Sequence, residues 1–240
     1  MGVVVSVGAG ATIPLSAPPA QPAVPIVAIV NHSATDDALF LGQFCGGVPT
    51  THRTVVTATH CLTGRTAGTI DVVAGVIDLC SHATPARVRR TVVSIAAVPD
   101  SGGTLSMLTL SADLDGPVVG RPARVLPMPG SLVAGWGWGR TAVSGTPACV
   151  LRRVDLRVVD VDKCRTLAAG TYVSDAAEPS GVPVSLCTVP LGTANTCVGD
   201  SGGPVTVSRA QDPQRLYVVG ITLSGDGCGA RDRGLAVVPQ

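Results

Sequence analysis

Twenty-nine glycines and nineteen prolines punctuate this 240-residue chain, and between them no long 3.6-residue apolar period survives. Proline removes a backbone donor and clashes with the preceding turn of a helix, and glycine weakens both helix and strand. What remains is a set of short apolar runs rich in β-branched valine, the residue type that packs well on a pleated surface. The runs are Ile26–Val30, Phe40–Gly46, Val55–Ala58, Thr69–Val76, Val88–Ile95, Leu105–Leu110 and Tyr217–Leu223. In Arg153–Val158 apolar and charged residues alternate strictly, which predicts one buried and one wet face. The chain therefore reads as all-β with many turns, and any helix as short and connecting. Hydrophobic residues make up 45% but aromatics only 2%, so the core must be aliphatic.

The length suffices for one large or two small cores. Residues 1–25, with Pro14, Pro18, Pro19, Pro22 and Pro25, read as an extended arm lying on the surface or docking to the second half. A first barrel is expected over 26–116, a proline-rich connection over 117–130 and a second barrel over 131–240. Two six-stranded antiparallel barrels packed side by side fit this spacing. Arg87, Arg89 and Arg90 read as a solvated strand face, and Asn31-His32-Ser33 as a bare loop, although it also spells a glycosylation sequon. Trp136 and Trp138, in G-W-G-W-G, read more simply as packing residues than as a sugar-binding platform, with Trp138 covering a loop.

A formal net charge of +1 without any basic block argues against a nucleic-acid partner. No apolar stretch is long enough to span a membrane. His32, His52, His60 and His82 show no ligand spacing and no phosphate-binding loop is present, so neither a metal nor a cofactor is expected. Eight cysteines without a C-x-x-C pair suit disulfides better than zinc, and disulfides imply an oxidising, extracytoplasmic compartment. The first residues lack the basic start of a signal peptide. Either an export signal has been removed ahead of this chain or there was none; the cysteines favour the first.

Chemistry concentrates in C-V-G-D-S-G-G-P, Cys197 to Pro204. Glycines let the backbone approach a substrate closely, and successive amides in such a turn converge on one point. Ser201 stands there as a nucleophile, with the amides of Gly199 and Ser201 as donors to a developing oxyanion. A serine nucleophile needs a base. T-A-T-H-C, Thr57 to Cys61, offers His60 after a β-branched run.

With both motifs in hand, the chain resembles the chymotrypsin/trypsin family of serine proteases. The resemblance extends to F-C-G-G (Phe44 to Gly47), A-G-W-G (Ala134 to Gly137) and G-x-G-C (Gly225 to Cys228), and covers roughly residues 24–236 in the family's order. It implies the twin-barrel fold, a monomeric secreted endopeptidase acting on peptides or proteins, and a site in the cleft between the barrels. It also implies the bridges Cys45–Cys61, Cys164–Cys187 and Cys197–Cys228. Cys80 and Cys149 remain and are expected to pair between two surface loops.

Three positions depart from the family pattern. Its catalytic aspartate opens a strand of the type D-I-A-L-L-x-L; the matching stretch here begins at Thr104, with Asp100 as the alternative on the preceding loop. The serine that hydrogen-bonds that carboxylate maps onto Leu223, or onto Ser224 if one residue is deleted. Residues 1–52 contain no Arg, Lys or I-V-G-G, so tryptic activation that would deliver an amino terminus to Asp200 is not expected. The resemblance also places Asn195 at the floor and Gly225 on the wall of the primary pocket, and a neutral floor with an open wall predicts a neutral rather than a basic substrate side chain. Two functions follow: an endopeptidase, weakened or not, using a Ser201–His60 dyad, or a catalytically silent binding protein on the same scaffold.

Overall fold

The computed structural model describes residues 23–81, 87–114, 120–123, 125–142, 144–161, 186–225, 227–228 and 233–237. Two closed six-stranded barrels make up the fold. The first is built from β1 (Val27–Asn31), β2 (Gln43–Pro49), β3 (Thr54–Ala58), β4 (Ile70–Ala74), β5 (Val88–Ala97) and β6 (Leu105–Leu110), in the order β1-β2-β3-β6-β5-β4. The second uses β7 (Leu132–Gly137), β8 (Arg152–Val159), β9 (Leu186–Pro190), β10 (Pro204–Arg209), β11 (Asp212–Gly225) and β12 (Gly234–Val237), in the order β10-β11-β12-β9-β8-β7. Every named pair of neighbours is antiparallel. Closure removes the sheet edges that short valine-rich strands would otherwise leave exposed.

The strand expected from Phe40 starts later. Residues 36–42 form a 3-10 turn and a one-turn helix α1 (Leu39–Gly42), and β2 opens at Gln43. Leu39 is fully buried in that turn, which aliphatic periodicity alone cannot distinguish from a strand end. The alternation in β8 is realised: Leu156 and Val158 are buried while Arg153, Asp155 and Arg157 face water.

Aliphatic residues fill both barrels, and the cores are not independent. Val218, Ile221 and Leu223 of β11 and Val237 of β12 pack into the cluster formed by Val27, Ile29, Val55, Leu105 and Leu108 of the first barrel. The barrels are also stitched at their surface. Leu79 and Cys149 share a backbone hydrogen bond, Leu151 donates to Ile77, and Cys80 is bridged to Cys149. Trp138 is fully buried against Val30, Leu39 and Val73 and under the loop that follows β4, where it clusters with Val76 and Leu79 and its indole N–H donates to the Ile77 carbonyl at 2.9 Å. An aromatic ring at the seam supplies area that small aliphatics cannot.

Arg89 also departs from its expectation as a solvated residue. Its Nε donates to the Asp71 carboxylate at 2.6 Å, and Asp71 is only 2% exposed. Burial alone would raise the Asp71 pKa, but bonds from His32, Arg89 and Thr91 outweigh it and hold the carboxyl below its ordinary range. Removing Arg89 would leave the buried Asp71 carboxylate held only by His32 and Thr91.

Candidate active site

His60 sits in a 3-10 turn, Thr59–Leu62, that follows β3 directly. The turn is clamped twice: Thr59 N–H donates to the Thr104 carbonyl at 2.8 Å, and Cys61 is bridged to Cys45 of β2. Ser201 lies on the tight loop leading into β10, which reaches across to the same bridge. Gly46 N–H donates to the Ser201 carbonyl at 2.7 Å, and Cys61 Sγ lies 3.8 Å from that oxygen. A second-barrel loop is thus bonded to the first-barrel strand beside His60.

The loop itself is densely fixed. Gly202 N–H donates to the Thr222 carbonyl and Thr222 N–H to the Gly203 carbonyl. Gly202 has φ +80°, and a Cβ there would strike the Gly46 carbonyl and the Thr57 hydroxyl. Gly199 has φ +100°, a conformation that favours glycine. The amides of Gly199 and Ser201 donate to no described residue, whereas the flanking amides of Asp200, Gly202 and Gly203 are all bonded. Two uncommitted N–H groups on a pinned loop are what an oxyanion site requires.

Asp200 is buried behind that loop. One carboxylate oxygen accepts from Gly139 N–H and the other from Cys197 N–H, both at 2.8 Å. Burial pushes its pKa up to about 6; the two amides and the more distant Arg152 guanidinium partly offset that rise. Asp200 shares a cavity of about 190 Å³ with Gly139, Arg140, Arg152 and Asn195. Asn195 is itself buried, and its side-chain oxygen accepts from Thr196 N–H.

The imidazole side is barer. Apart from its own backbone carbonyl, His60 makes no hydrogen bond to a described residue. One ring nitrogen lies within 4.8 Å of both sulfurs of the Cys45–Cys61 bridge. The ring has an open edge to solvent, yet the protein packed on its other side disfavours the imidazolium and lowers its pKa. Ser201 Oγ donates to the Leu223 carbonyl at 3.1 Å rather than to His60.

Thr104 is beside this turn and buried, but its hydroxyl donates to the Ser101 carbonyl at 2.7 Å. Asp100 is exposed on a strained turn with φ +56° and makes no hydrogen bond to His60. Leu223 is 2% exposed and belongs to the first-barrel core, where a donor to a buried carboxylate would have no use for such surroundings. No charged third partner for His60 stands among these residues.

Bridges Cys45–Cys61, Cys80–Cys149 and Cys197–Cys228 are present. Cys164, most of the arm (residues 1–22), residues 115–119 at the start of the connection and just before it, residue 124, and the surroundings of Ser224 and Gly225 lie outside the described residues. Two contributors escaped the sequence. Gln43 donates to the Gly199 carbonyl across 156 residues, and Gly139 donates to Asp200 across 61. Local pattern carries no signal for contacts that long-range.

Among known proteins, the trypsin family model matches residues 17–238. The trypsin of Saccharopolyspora erythraea is 32% identical over 194 residues, covering 78% of this chain and 77% of its own length. A trypsin-like protease of Streptomyces glaucescens is 31% identical over 191 residues, 78% of this chain and 67% of that one. The solved structure of human heparin binding protein has the same fold, with a TM-score of 0.68 at 20% identity over 91% of this chain and 90% of that one.

Proposed function

Since the chain belongs to the trypsin family of serine proteases, we propose that it is an endopeptidase cleaving peptide or protein substrates by acyl transfer through a Ser201–His60 dyad with no charged third member. One observation carries the reading: Gly46 N–H bonds the Ser201 carbonyl at 2.7 Å, fixing the nucleophile loop to the strand whose half-cystine neighbours His60.

The steps follow from the side chains. His60, held neutral by its surroundings, removes the Ser201 proton as the oxygen attacks a carbonyl. The Gly199 and Ser201 amides receive the negative charge of the tetrahedral intermediate. The imidazolium then returns its proton to the leaving amine, and water repeats the sequence on the acyl-enzyme. Before attack, Ser201 Oγ must leave the Leu223 carbonyl and turn to His60. Without a carboxylate at position 104 the imidazolium is unsupported, so turnover is weak; loss of that carboxylate from a complete triad costs about 10⁴ in kcat. Asn195 makes the primary pocket neutral, and the favoured substrate residue is correspondingly neutral. The three disulfides fit an extracytoplasmic protein, and no helix among the described residues is long and apolar enough to cross a membrane; we take it to work as a monomer.

A second reading, a silent binding protein, is favoured by the serine hydroxyl's bond to Leu223 in place of His60. A fluorophosphonate probe separates them. Covalent labelling of Ser201 that disappears in His60→Ala supports the dyad, and an unlabelled serine between about pH 6 and 9 supports the binding protein.

A further inference from the structure

Building on the dyad reading, we infer that Gln43 is a positioning residue for the oxyanion donors: its amide reaches from the first barrel and fixes the Gly199 carbonyl. Gln43 is the first residue of β2 and only 4% exposed. Its Nε2 donates to the Cys45 carbonyl at 3.0 Å and to the Gly199 carbonyl at 2.8 Å. Both partners are carbonyl oxygens, so only the nitrogen of the side-chain amide can face them. That orientation leaves Oε1 buried with no partner among the described residues. A glutamine placed only to fill space would not leave a buried acceptor orphaned, and an orphan of this kind asks for a reason.

The reason is geometric. The peptide between Gly199 and Asp200 is planar, and it is held at both ends. Its carbonyl accepts from Gln43, and its N–H donates to the Cys197 carbonyl at 2.9 Å. With that plane fixed, the direction of the Gly199 amide depends only on the two soft torsions of Gly199 itself, its ψ and its φ of +100°. Space reinforces the bond. A Cβ on Gly199 would lie 3.2 Å from Gln43 Oε1 and 3.0 Å from the Gly139 Cα, so the side chain lies directly against the turn. The same strand supplies the Gly46 amide that holds the Ser201 carbonyl. β2 thus fixes both donor-bearing residues, one through its backbone and one through Gln43, and the first barrel sets the aim of a site on the second.

The experiment compares the full chain with Gln43→Met, similar in length but without a donor, and Gln43→His, which keeps one N–H. The methionine variant is expected to react with the fluorophosphonate up to about 10²-fold more slowly, with KM for a chromogenic ester little changed and kcat carrying the loss. The ¹³C shift of the Gly199 carbonyl and the amide shifts of Gly199 and Ser201 move, while resonances of the barrel cores stay in place. The histidine variant recovers most of the rate and returns the carbonyl shift toward wild type. Reactivity of Gln43→Met within about twofold of wild type overturns the inference, because an unfixed donor would cost more. Shifts that spread through both barrels overturn it too, since they mark a general packing role. If wild type is unlabelled, the dyad reading falls and the Gly199 shifts alone decide about Gln43. If the methionine variant does not fold, the histidine variant decides: a carbonyl shift near wild type supports the inference and a displaced one overturns it.

Discussion

The two halves of the candidate site are finished to different degrees. On the serine side almost every group is held. Asp200 accepts from Gly139 and Cys197, Gln43 holds Gly199, Gly46 holds Ser201, and the amides of Gly202 and Thr222 cross-bond the loop to β11. On the imidazole side the backbone is braced by the Cys45–Cys61 bridge and by Thr104, but the ring itself has no hydrogen-bond partner among the described residues. Electrostatic preorganisation and proton transfer are therefore separable here. In the proposed mechanism, the loop that would receive the oxyanion is held by hydrogen bonds, whereas the ring that would act as base is held by none among the described residues.

The sharpest way to break this contrast is to supply the missing charge. Thr104→Asp places a carboxylate beside the His60 turn, where it can receive the ring N–H and stabilise the imidazolium. Esterase kcat is expected to rise by up to about 10⁴-fold. An unchanged kcat would mean that position 104 does not face the ring, and that the imidazole half lacks more than its charge.

The next largest effect comes from loosening the finished half. Asp200→Asn keeps one acceptor but turns an NH₂ toward an amide that needs one, so either the Gly139 or the Cys197 bond is lost. Labelling of Ser201 is expected to slow by about 10²–10³-fold, the scale of losing an oxyanion donor. If labelling is unchanged, the loop is fixed by Gln43 and the glycines without help from Asp200.

Asp200 also makes a stability prediction. Its folded pKa of about 6 lies above the ordinary 3.8, so between those values the folded protein binds more protons than the unfolded chain. The stability this group supplies is complete below about pH 4 and is lost as pH rises through 6, by roughly 3 kcal/mol in all. Urea titrations at several pH values should reveal that downward slope, and Asp200→Asn should abolish it. A profile unaltered by the substitution would mean that the Gly139 and Cys197 amides fully offset the burial of the carboxylate.

The fold was largely legible because its signals are local or repetitive. Valine-rich runs between Gly and Pro mark strands, and C-V-G-D-S-G-G-P and T-A-T-H-C mark the site. What could not be read depends on contacts between distant residues. Nothing near Arg89 announces Asp71 as its buried partner, and nothing near Gln43 announces Gly199. The hydroxyl of Thr222 is buried without a partner among the described residues, a state that no local pattern encodes. Thr104 shows both sides of this. The apolar spacing of Leu105–Leu110 located it, but only coordinates reveal its hydroxyl turned to Ser101 instead of to His60.

The smallest expected effect concerns which half limits activity in acid. His60 must be neutral to act as a base, and its surroundings lower its pKa below 6.5, so the dyad should keep working somewhat below the range of a free imidazole. Asp200, with its pKa near 6, takes up a proton in the same region and weakens the clasp on the oxyanion loop. The two losses respond to different substitutions. Thr104→Asp favours the imidazolium and should move the acid limb of kcat/KM to higher pH. Asp200→Asn removes one titration and should leave a limb set by His60 alone, at a lower overall rate. A limb that stays fixed in Thr104→Asp and vanishes in Asp200→Asn would assign the acid loss to the serine half, and would show that the unsupported base is not what fails first as pH falls.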